Sequence, residues 1–306
     1  MSSGISLTSS TRSSLLSLQS AASAQGTISE RLSTGKKVNS AIDNAVSFFT
    51  ASSLSGRATT LSDLLDNMSN GVQTIQAASK GLDGMKKLVE QMQATVKQAR
   101  QDTTYDSTDA TTIAATKKVR DNLKTQFLDL AKQMDNLSKD SGYNGVNLLN
   151  ADELQITFNE RTGTAKNDMK VALYAADGTT KEAVNATKLG IVASATGGTY
   201  TAVTGSGDDF TDNAGLDKLS DLLTTALTSI QTKASSLGSN LTVVQTRQDF
   251  TKQLINVLKT GSDNLVNADM NEEAANFTAL QTRQSIAQQT LSLANQQQQG
   301  ILQLLR

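Results

Sequence analysis

A few residues in this sequence have types and spacings that could do chemistry. Ser33 and Lys36 fit the S-x-x-K pattern of serine hydrolases that use a lysine, but no SDN or KTG partner motif accompanies them. The dipeptide Gly35-Lys36 lacks the upstream glycine of a phosphate-binding loop, because Glu30 occupies that position. These matches therefore predict no catalytic site.

Four acidic residues near the middle of the chain could in principle bind a cation. Asp208, Asp209, Asp212 and Asp217 lie close together, but Phe210 stands where an EF-hand loop would place its first ligand. The chain contains no histidine and no cysteine, so imidazole and thiolate ligands, nucleophiles and bases are all missing. We therefore expect no catalytic residue, no metal site and no cofactor, and we expect that the protein is not an enzyme.

The composition favours long helices instead. The chain has 306 residues, of which 37% are hydrophobic and 19% are charged, and it has no proline, the residue that breaks helix interiors. Its net charge of -1 predicts no nucleic-acid partner. No stretch approaches the roughly 18 apolar residues of a membrane span, and no secretory signal is visible, so we expect no membrane partner.

Both ends of the chain carry helical repeats that are almost free of charge. The C-terminal repeat advances by three and four residues in turn, which is a heptad seam. A surface helix normally exposes charged residues, and these helices have very few. We therefore expect both ends to be loosely ordered in the free monomer and to become ordered by packing against many copies. The alternative is an ordinary antiparallel pair within one monomer.

Three further helical blocks and a small insert lie between these ends. Helical periods run from Ser40 to Arg100, from Asp109 onwards after a polar turn at Thr103–Asp109, and along a seam from Leu219 to Leu258. Four methionines on these helices are expected to fill gaps in the core: Met68, Met85, Met92 and Met134.

The insert between these helical blocks has the alternating pattern of strands. Leu154–Phe158 and Met169–Tyr174 predict a hairpin, and Lys188–Ser194 and Thr199–Thr204 predict shorter strands. The predicted fold is mainly α: a long antiparallel helical-bundle or coiled-coil rod formed by both chain ends, with a small β-rich insert in the middle.

Several segments resemble those of bacterial flagellins. Residues 30–45 (ERLSTGKKVNSAIDNA) resemble the family's N-terminal motif, and residues 67–82, 144–149 (NGVNLL) and 267–269 (NAD) are similar to later family segments. Residues 291–306 (LSLANQQQQGILQLLR) resemble the flagellin C-terminus. The motif positions that carry the N-terminal match are Arg31, Leu32, Ser33, Gly35, Asn39, Ser40 and Asp43.

The resemblance implies a structural subunit that self-assembles into the helical flagellar filament for motility. It implies an extracellular location, type III export, and an export chaperone, cap and hook-junction proteins as further partners. It implies a terminal coiled-coil core domain (1–42 and 265–306), a helical rod domain (43–150 and 216–264) and an outer insert (151–215). The expected inter-subunit core consists of Leu15, Leu18, Ala22, Leu32, Phe277, Leu280, Ala287, Leu291, Ala294, Ile301 and Leu305.

Two other functions are compatible with similar chain ends. A hook–filament junction protein would adapt one structure to another rather than polymerise indefinitely. A flagellin scaffold carrying an enzyme is the other alternative, and the lack of histidine excludes the zinc-histidine version of it.

The chain also departs from the family at a surface recognised by the innate Toll-like flagellin receptor. That surface corresponds here to Lys87, Glu90 and Gln91, and Lys87 and Gln91 replace an arginine and a leucine of the family. Lysine lacks the forked donor geometry of arginine. The resemblance therefore predicts weak or absent receptor activation.

Overall fold

The computed structural model describes residues 9–101, 110–175, 177–196, 199–202, 210 and 213–304. The predicted turn at Thr103–Asp109, the acidic residues Asp208, Asp209 and Asp212, and the predicted core residue Leu305 lie outside these ranges.

Five helices make up most of the described chain, in the predicted order. They are α1 (Ser9–Thr34), α2 (Ala45–Arg100), α3 (Ala110–Asp140), α4 (Asn213–Val266) and α5 (Met270–Leu304). Four short strands lie between α3 and α4: β1 (Leu154–Thr157), β2 (Asp168–Val171), β3 (Val192–Thr196) and β4 (Thr199–Ala202). The prediction of a mainly α fold with a small β-rich insert is confirmed.

The sequence marks where several of these helices begin and end. Gly35, just after α1, has φ +71°, a left-handed conformation that glycine adopts easily at a helix C-terminus. The Asn44 side chain accepts a hydrogen bond from the backbone N–H of Ser47 at 3.0 Å and caps α2. The Asp269 side chain accepts from Asn271 N at 2.9 Å and caps α5. These polar caps satisfy backbone groups that the first turns leave free.

The chain forms two compact units. The first contains residues 1–59 and 255–306, and the second contains residues 60–254. The large apolar core lies in the second unit, where α2, α3, α4 and the insert bury their side chains. The four methionines of the predicted core (Met68, Met85, Met92 and Met134) are completely buried there, as expected.

The apolar period of α4 was predicted accurately, whereas that of α3 was wrong at its beginning. The sequence pattern extends the α3 seam to Val119, but that side chain is 48% exposed. The neighbouring Arg120 is buried instead, and its Nη2 donates to Asn213 Oδ1 at 2.8 Å. A long arginine stem can pack like an apolar side chain when its guanidinium finds a hydrogen-bond acceptor.

The insert contains two antiparallel hairpins. β1 pairs with β2 so that Ile156 lies opposite Met169, and β3 pairs with β4. The hairpin predicted from the two alternating segments is therefore present, although β2 ends at Val171 rather than Tyr174.

Polar contacts hold the insert against the helices of the second unit. Asp135 on α3 accepts from the backbone N–H of Ala186 at 2.7 Å, and Lys233 Nζ on α4 donates to Tyr174 O at 2.7 Å. These polar contacts fix the insert on α3 and α4 in addition to its buried apolar residues.

Asn147, in the NGVNLL segment, joins the end of α3 to the insert. Its Nδ2 donates to the carbonyl oxygens of Ser138 at 2.8 Å and Lys139 at 2.9 Å, so it satisfies two carbonyls at the end of the helix. Its Oδ1 accepts from Leu149 N at 3.0 Å. One side chain therefore ends a helix and begins the turn that follows.

Candidate assembly surface

The link between α1 and α2 pairs with the link between α4 and α5. The backbone N–H groups of Lys37 and Val38 donate to Val266 O at 2.8 and 3.2 Å, and Ala268 N donates to Gly35 O at 3.0 Å. Lys36 and Asn267 form an antiparallel bridge. We call this main-chain pairing of residues 35–38 with 266–268 the clasp. It holds the end of α1 beside the start of α5.

The flagellin-like motif builds the clasp and the turn that follows it. Asp43 accepts hydrogen bonds from the backbone N–H groups of Asn39 and Ser40, both at 2.9 Å, and from Ser40 Oγ at 3.2 Å. These N–H donors, that of Ser40 first, hold the pKa of the Asp43 carboxyl below its ordinary value of 3.8. Asp43 therefore fixes the tight turn before α2.

We expect this turn to be sensitive only to strong acid. Because the Asp43 pKa is lower in the folded chain, its contribution to stability is complete above pH 3.8 and is lost as the pH falls through the lowered value. NMR titration of the Asp43 carboxyl should show a midpoint below 3.8. An ordinary midpoint would mean that the turn is not held by these hydrogen bonds, and Asp43→Asn should remove this part of the acid dependence.

Three other motif residues occupy different environments. The Arg31 Nη1 lies 3.0 Å from Glu273 Oε1 on α5, an ion pair between residues 242 positions apart in sequence. Leu32 is half-buried and Ser33 is exposed. Of the seven motif residues, therefore, only Ser33 has no apparent role in the packing or the turn.

α1 and α5 pack against each other within one chain. The half-buried residues of α5 are the predicted seam, at steps of three and four: Phe277, Leu280, Gln284, Ala287, Leu291 and Ala294. The facing positions on α1 are Ser14, Leu18, Ala21, Gln25, Ile28 and Leu32. A single chain therefore contains the intramolecular pair that the sequence left as an alternative. Loose order of the ends in solution stays a prediction.

This helix pair buries no apolar side chain among those the structure describes in α1 and α5. Of the predicted inter-subunit core, Leu18, Leu32, Phe277, Leu280, Ala287, Leu291 and Ala294 are half-buried, and Leu15 and Ala22 are exposed. Ile301 lies on α5, but its side chain is outside the described set. Helices of this length depend on packing for their stability. Within one chain the apolar surface of this pair is only partly covered, so the packing that stabilises the pair is incomplete.

The outward faces of the pair carry large apolar residues that sequence reasoning missed. Leu16 is 67% exposed on α1, and Ile286 and Leu293 are 56% and 57% exposed on α5. They lie off the heptad seam, so a search for one periodic stripe does not find them. The signal available was the near absence of charge on every face of both helices.

The residues of the predicted receptor surface share an exposed face of α2 in the second unit. Lys87, Glu90 and Gln91 are all exposed. Lys86 Nζ lies 3.9 Å from Glu90 Oε1, one helical turn along. Both side chains of that ion pair are about half exposed, so it contributes little to stability.

The described residues also bear on metal binding and on membrane spanning. No group of three or more acidic residues there is arranged to hold a metal ion. Nor does any described helix combine the length and apolar character needed to cross a lipid bilayer.

Both chain ends form one helix pair joined by the clasp, so the chain is a mainly helical protein whose ends pack together. The family description for the bacterial flagellin N-terminal helical region matches residues 5–153, and that for the C-terminal helical region matches residues 220–305. The chain belongs to the bacterial flagellin family. It is a subunit that self-assembles into the flagellar filament.

Relatives from several bacteria match nearly the whole chain. Flagellin FljK of Caulobacter vibrioides is 27% identical, and the match covers 92% of this chain and 90% of FljK. A flagellin of Brucella melitensis is 25% identical, and the match covers 96% of this chain and 97% of the relative. A flagellin of Bacillus subtilis is 27% identical, and the match covers 90% of this chain and 91% of the relative. The crystal structure of Bacillus cereus flagellin matches 60% of this chain and 88% of its own, at 14% identity and TM-score 0.43.

Proposed function

We propose that the α1–α5 pair is the part of this flagellin that holds the filament together. The observation that carries the proposal is a packed helix pair without one buried apolar side chain among those described. Neighbouring copies would cover the half-buried seam and the outward leucines and isoleucine. Each fully buried side chain of this kind contributes about 1.5–3 kcal/mol relative to exposure.

We propose the same residues as inter-subunit contacts that the sequence suggested, with three additions. The original set is Leu15, Leu18, Ala22, Leu32, Phe277, Leu280, Ala287, Leu291, Ala294, Ile301 and Leu305. The additions are Leu16, Ile286 and Leu293, which are more exposed in one chain than the seam residues. A contact between different faces of identical subunits produces a fibre when the rotation from one copy to the next does not close a ring.

The proposed domain layout places this core at 1–42 and 265–306, the helical rod at 43–150 and 216–264, and the outer insert at 151–215. The clasp supports a boundary near residues 42 and 265, because it lies where both terminal helices meet their links. The insert is supported as a separate element by its change from helices to hairpins.

Membership of the family supports a wider setting for this chain. Flagellar filaments are extracellular, and we propose that location for this chain. We also propose that an export chaperone, a cap and hook-junction proteins are its partners during export and assembly. We also propose that it has no enzymatic activity, in keeping with a structural family and with a chain without histidine or cysteine.

Electron microscopy of the purified protein tests this function directly. A filament subunit should form long tubes from the single chain once assembly is seeded with short filament fragments. A hook–filament junction protein would form none, and no observation here favours that role. Persistent monomers under every seeding condition would contradict the proposal.

We propose that the exposed face at Lys87, Glu90 and Gln91 activates the innate flagellin receptor weakly. Lys87 supplies a single point charge where the family has an arginine fork. A cell reporter assay with depolymerised protein should give a weak response, and Lys87→Arg combined with Gln91→Leu should increase it. A full-strength response from the unchanged chain would contradict this prediction.

A further inference from the structure

A loop of the insert, residues 173–182, forms one wall of an open groove in the second unit. Ala175 N donates to Thr180 O at 2.8 Å, which closes the loop, and Tyr174 pairs with Lys181 in an antiparallel bridge. The loop lies beside α4, and the two enclose a groove of about 780 Å³. None of the described residues that line the groove belongs to the proposed inter-subunit set.

A partly buried ion pair fixes this wall against the helix. Lys233 Nζ on α4 donates to Tyr174 O at 2.7 Å and lies 3.7 Å from Glu182 Oε2. The side chains of Lys233 and Glu182 are only 11% and 21% exposed, so each charge needs the other nearby. An ammonium has three donors, and among the described residues only Tyr174 O accepts one of them within hydrogen-bond distance. The groove therefore contains a fixed cation that can still donate to a ligand.

α4 supplies a row of hydroxyl oxygens to the opposite wall. Thr225, Thr228 and Thr232 are exposed, and each Oγ1 donates to the carbonyl oxygen four residues earlier, at 3.0, 3.0 and 2.9 Å. A hydroxyl has one donor and two acceptor positions, so a hydroxyl whose proton is used in this way offers only acceptors to a ligand. A ligand that matches this row must carry several O–H or N–H donors.

The charges of the groove favour a neutral ligand. Asp177 and Glu182 balance Lys188 and Lys233, so the lining has no net charge. A phosphate group is usually bound by an excess of basic residues, and a metal cation by an excess of acidic ones.

Tyr174 adds an aromatic ring to this polar lining. The residue is 38% exposed and lines the groove. A tyrosine ring combines an apolar face with a polar tip. Saccharides are neutral molecules that match such a lining, because they carry many hydroxyl donors and one face of the sugar ring consists of C–H groups that pack on aromatic side chains.

We propose that the groove between residues 173–182 and α4 binds a neutral saccharide. Tyr174 packs against the sugar ring, the row of threonines accepts hydrogen bonds from its hydroxyl groups, and Lys233 donates to a sugar oxygen. All the described residues that line the groove belong to the second unit, so the site is present in a single chain.

A filament would repeat the groove at every subunit. The proposed domain layout places the insert outward, so many weak sites would act together on a surface that carries saccharides. This consequence rests on the proposed function, whereas binding by the monomer does not.

Saturation-transfer NMR on the monomer tests the proposal, with maltotriose, cellotriose and chitotriose as probes. The unchanged chain should bind at least one of them. Tyr174→Ala should weaken binding of that probe about tenfold, because the ring contact is lost. Tyr143→Ala is the matched control and should bind normally, because Tyr143 is 39% exposed and does not line the groove.

A second variant removes an acceptor while it keeps the shape of the side chain. Thr228→Val should weaken binding roughly threefold to tenfold, as expected for one lost hydrogen bond. Thr246→Val is its control, because Thr246 is exposed on the same helix, donates to Thr242 O at 2.9 Å in the same way, and lies outside the groove. Circular dichroism before each titration checks that the variants are folded.

Failure of all three probes to bind the unchanged monomer would overturn the proposal. So would binding that neither Tyr174→Ala nor Thr228→Val weakens, since the saccharide would then lie elsewhere on the protein. Absence of filaments after seeding would contradict the proposed function alone, because the saccharide site is measured in monomers.

Discussion

The Leu293→Glu variant is expected to remain a folded, soluble monomer and to form no filaments. Leu293 is 57% exposed on the outward face of α5, so the substitution removes little that one chain needs for its own stability. In the filament the same position would be covered by a neighbouring subunit. The change would then replace a buried apolar side chain, worth about 1.5–3 kcal/mol, with a carboxylate that has no partner.

The effect on assembly should be large because it is repeated at every subunit. Burial of an unpaired charge costs several kcal/mol, which lowers the affinity of each added subunit by orders of magnitude. Light scattering and electron microscopy after seeding measure this loss, and circular dichroism checks that the monomer is intact.

A matched control introduces the same charge where no contact between subunits is proposed. Thr162 is exposed in the insert and makes no capping hydrogen bond there, so Thr162→Glu should assemble normally. Filaments of normal length from Leu293→Glu would show that the outward face of α5 is not an inter-subunit contact.

The second prediction concerns the core of the larger unit. Phe127 on α3 is completely buried, and its ring lies 5.6 Å from that of Phe210 with an interplanar angle of 60°. Phe127→Ala should lower the free energy of unfolding by about 3–5 kcal/mol, because it removes the aromatic contact and leaves a cavity. That is a large part of the roughly 5–15 kcal/mol that stabilises a typical domain.

Urea denaturation of the monomer measures the change. Phe250→Ala makes the identical substitution in the same unit at a residue that is 56% exposed, and it should change the free energy of unfolding by less than about 0.5 kcal/mol. Equal losses from both variants would contradict the assignment of Phe127 to the core.

Much of the helical architecture follows from local pattern. Without proline, apolar residues at steps of three and four specify long helices, and the α5 seam from Phe277 to Ala294 is half-buried at every predicted position. The hairpin of β1 and β2 was equally visible, because alternation over four or five residues suits only a strand with one buried face. Both signals are periodic, and periodicity is local to one element.

The candidate assembly surface was only partly accessible in this way. The sequence indicated that the chain ends need partners, because their helices carry almost no charge. It did not identify Leu16, Ile286 or Leu293, since a residue off the main stripe is recognised as outward-facing only when the inward face has been fixed by a partner helix. The α3 seam was wrongly extended to Val119 for a related reason, because the buried neighbour Arg120 bonds to Asn213, a residue far away in sequence.

The sequence by itself determined that the chain forms long helices with an insert between them, that it lacks the groups for most catalysis, and that it resembles flagellins. Only the tertiary structure decided that α1 faces α5 in a single chain, that Arg31 reaches Glu273 across 242 residues, and that residues 35–38 pair with residues 266–268. Local order depends on neighbours along the chain and can be deduced from spacing. Contacts between distant segments depend on complementary shape and charge, and this complementarity can be seen only when the two segments are placed side by side.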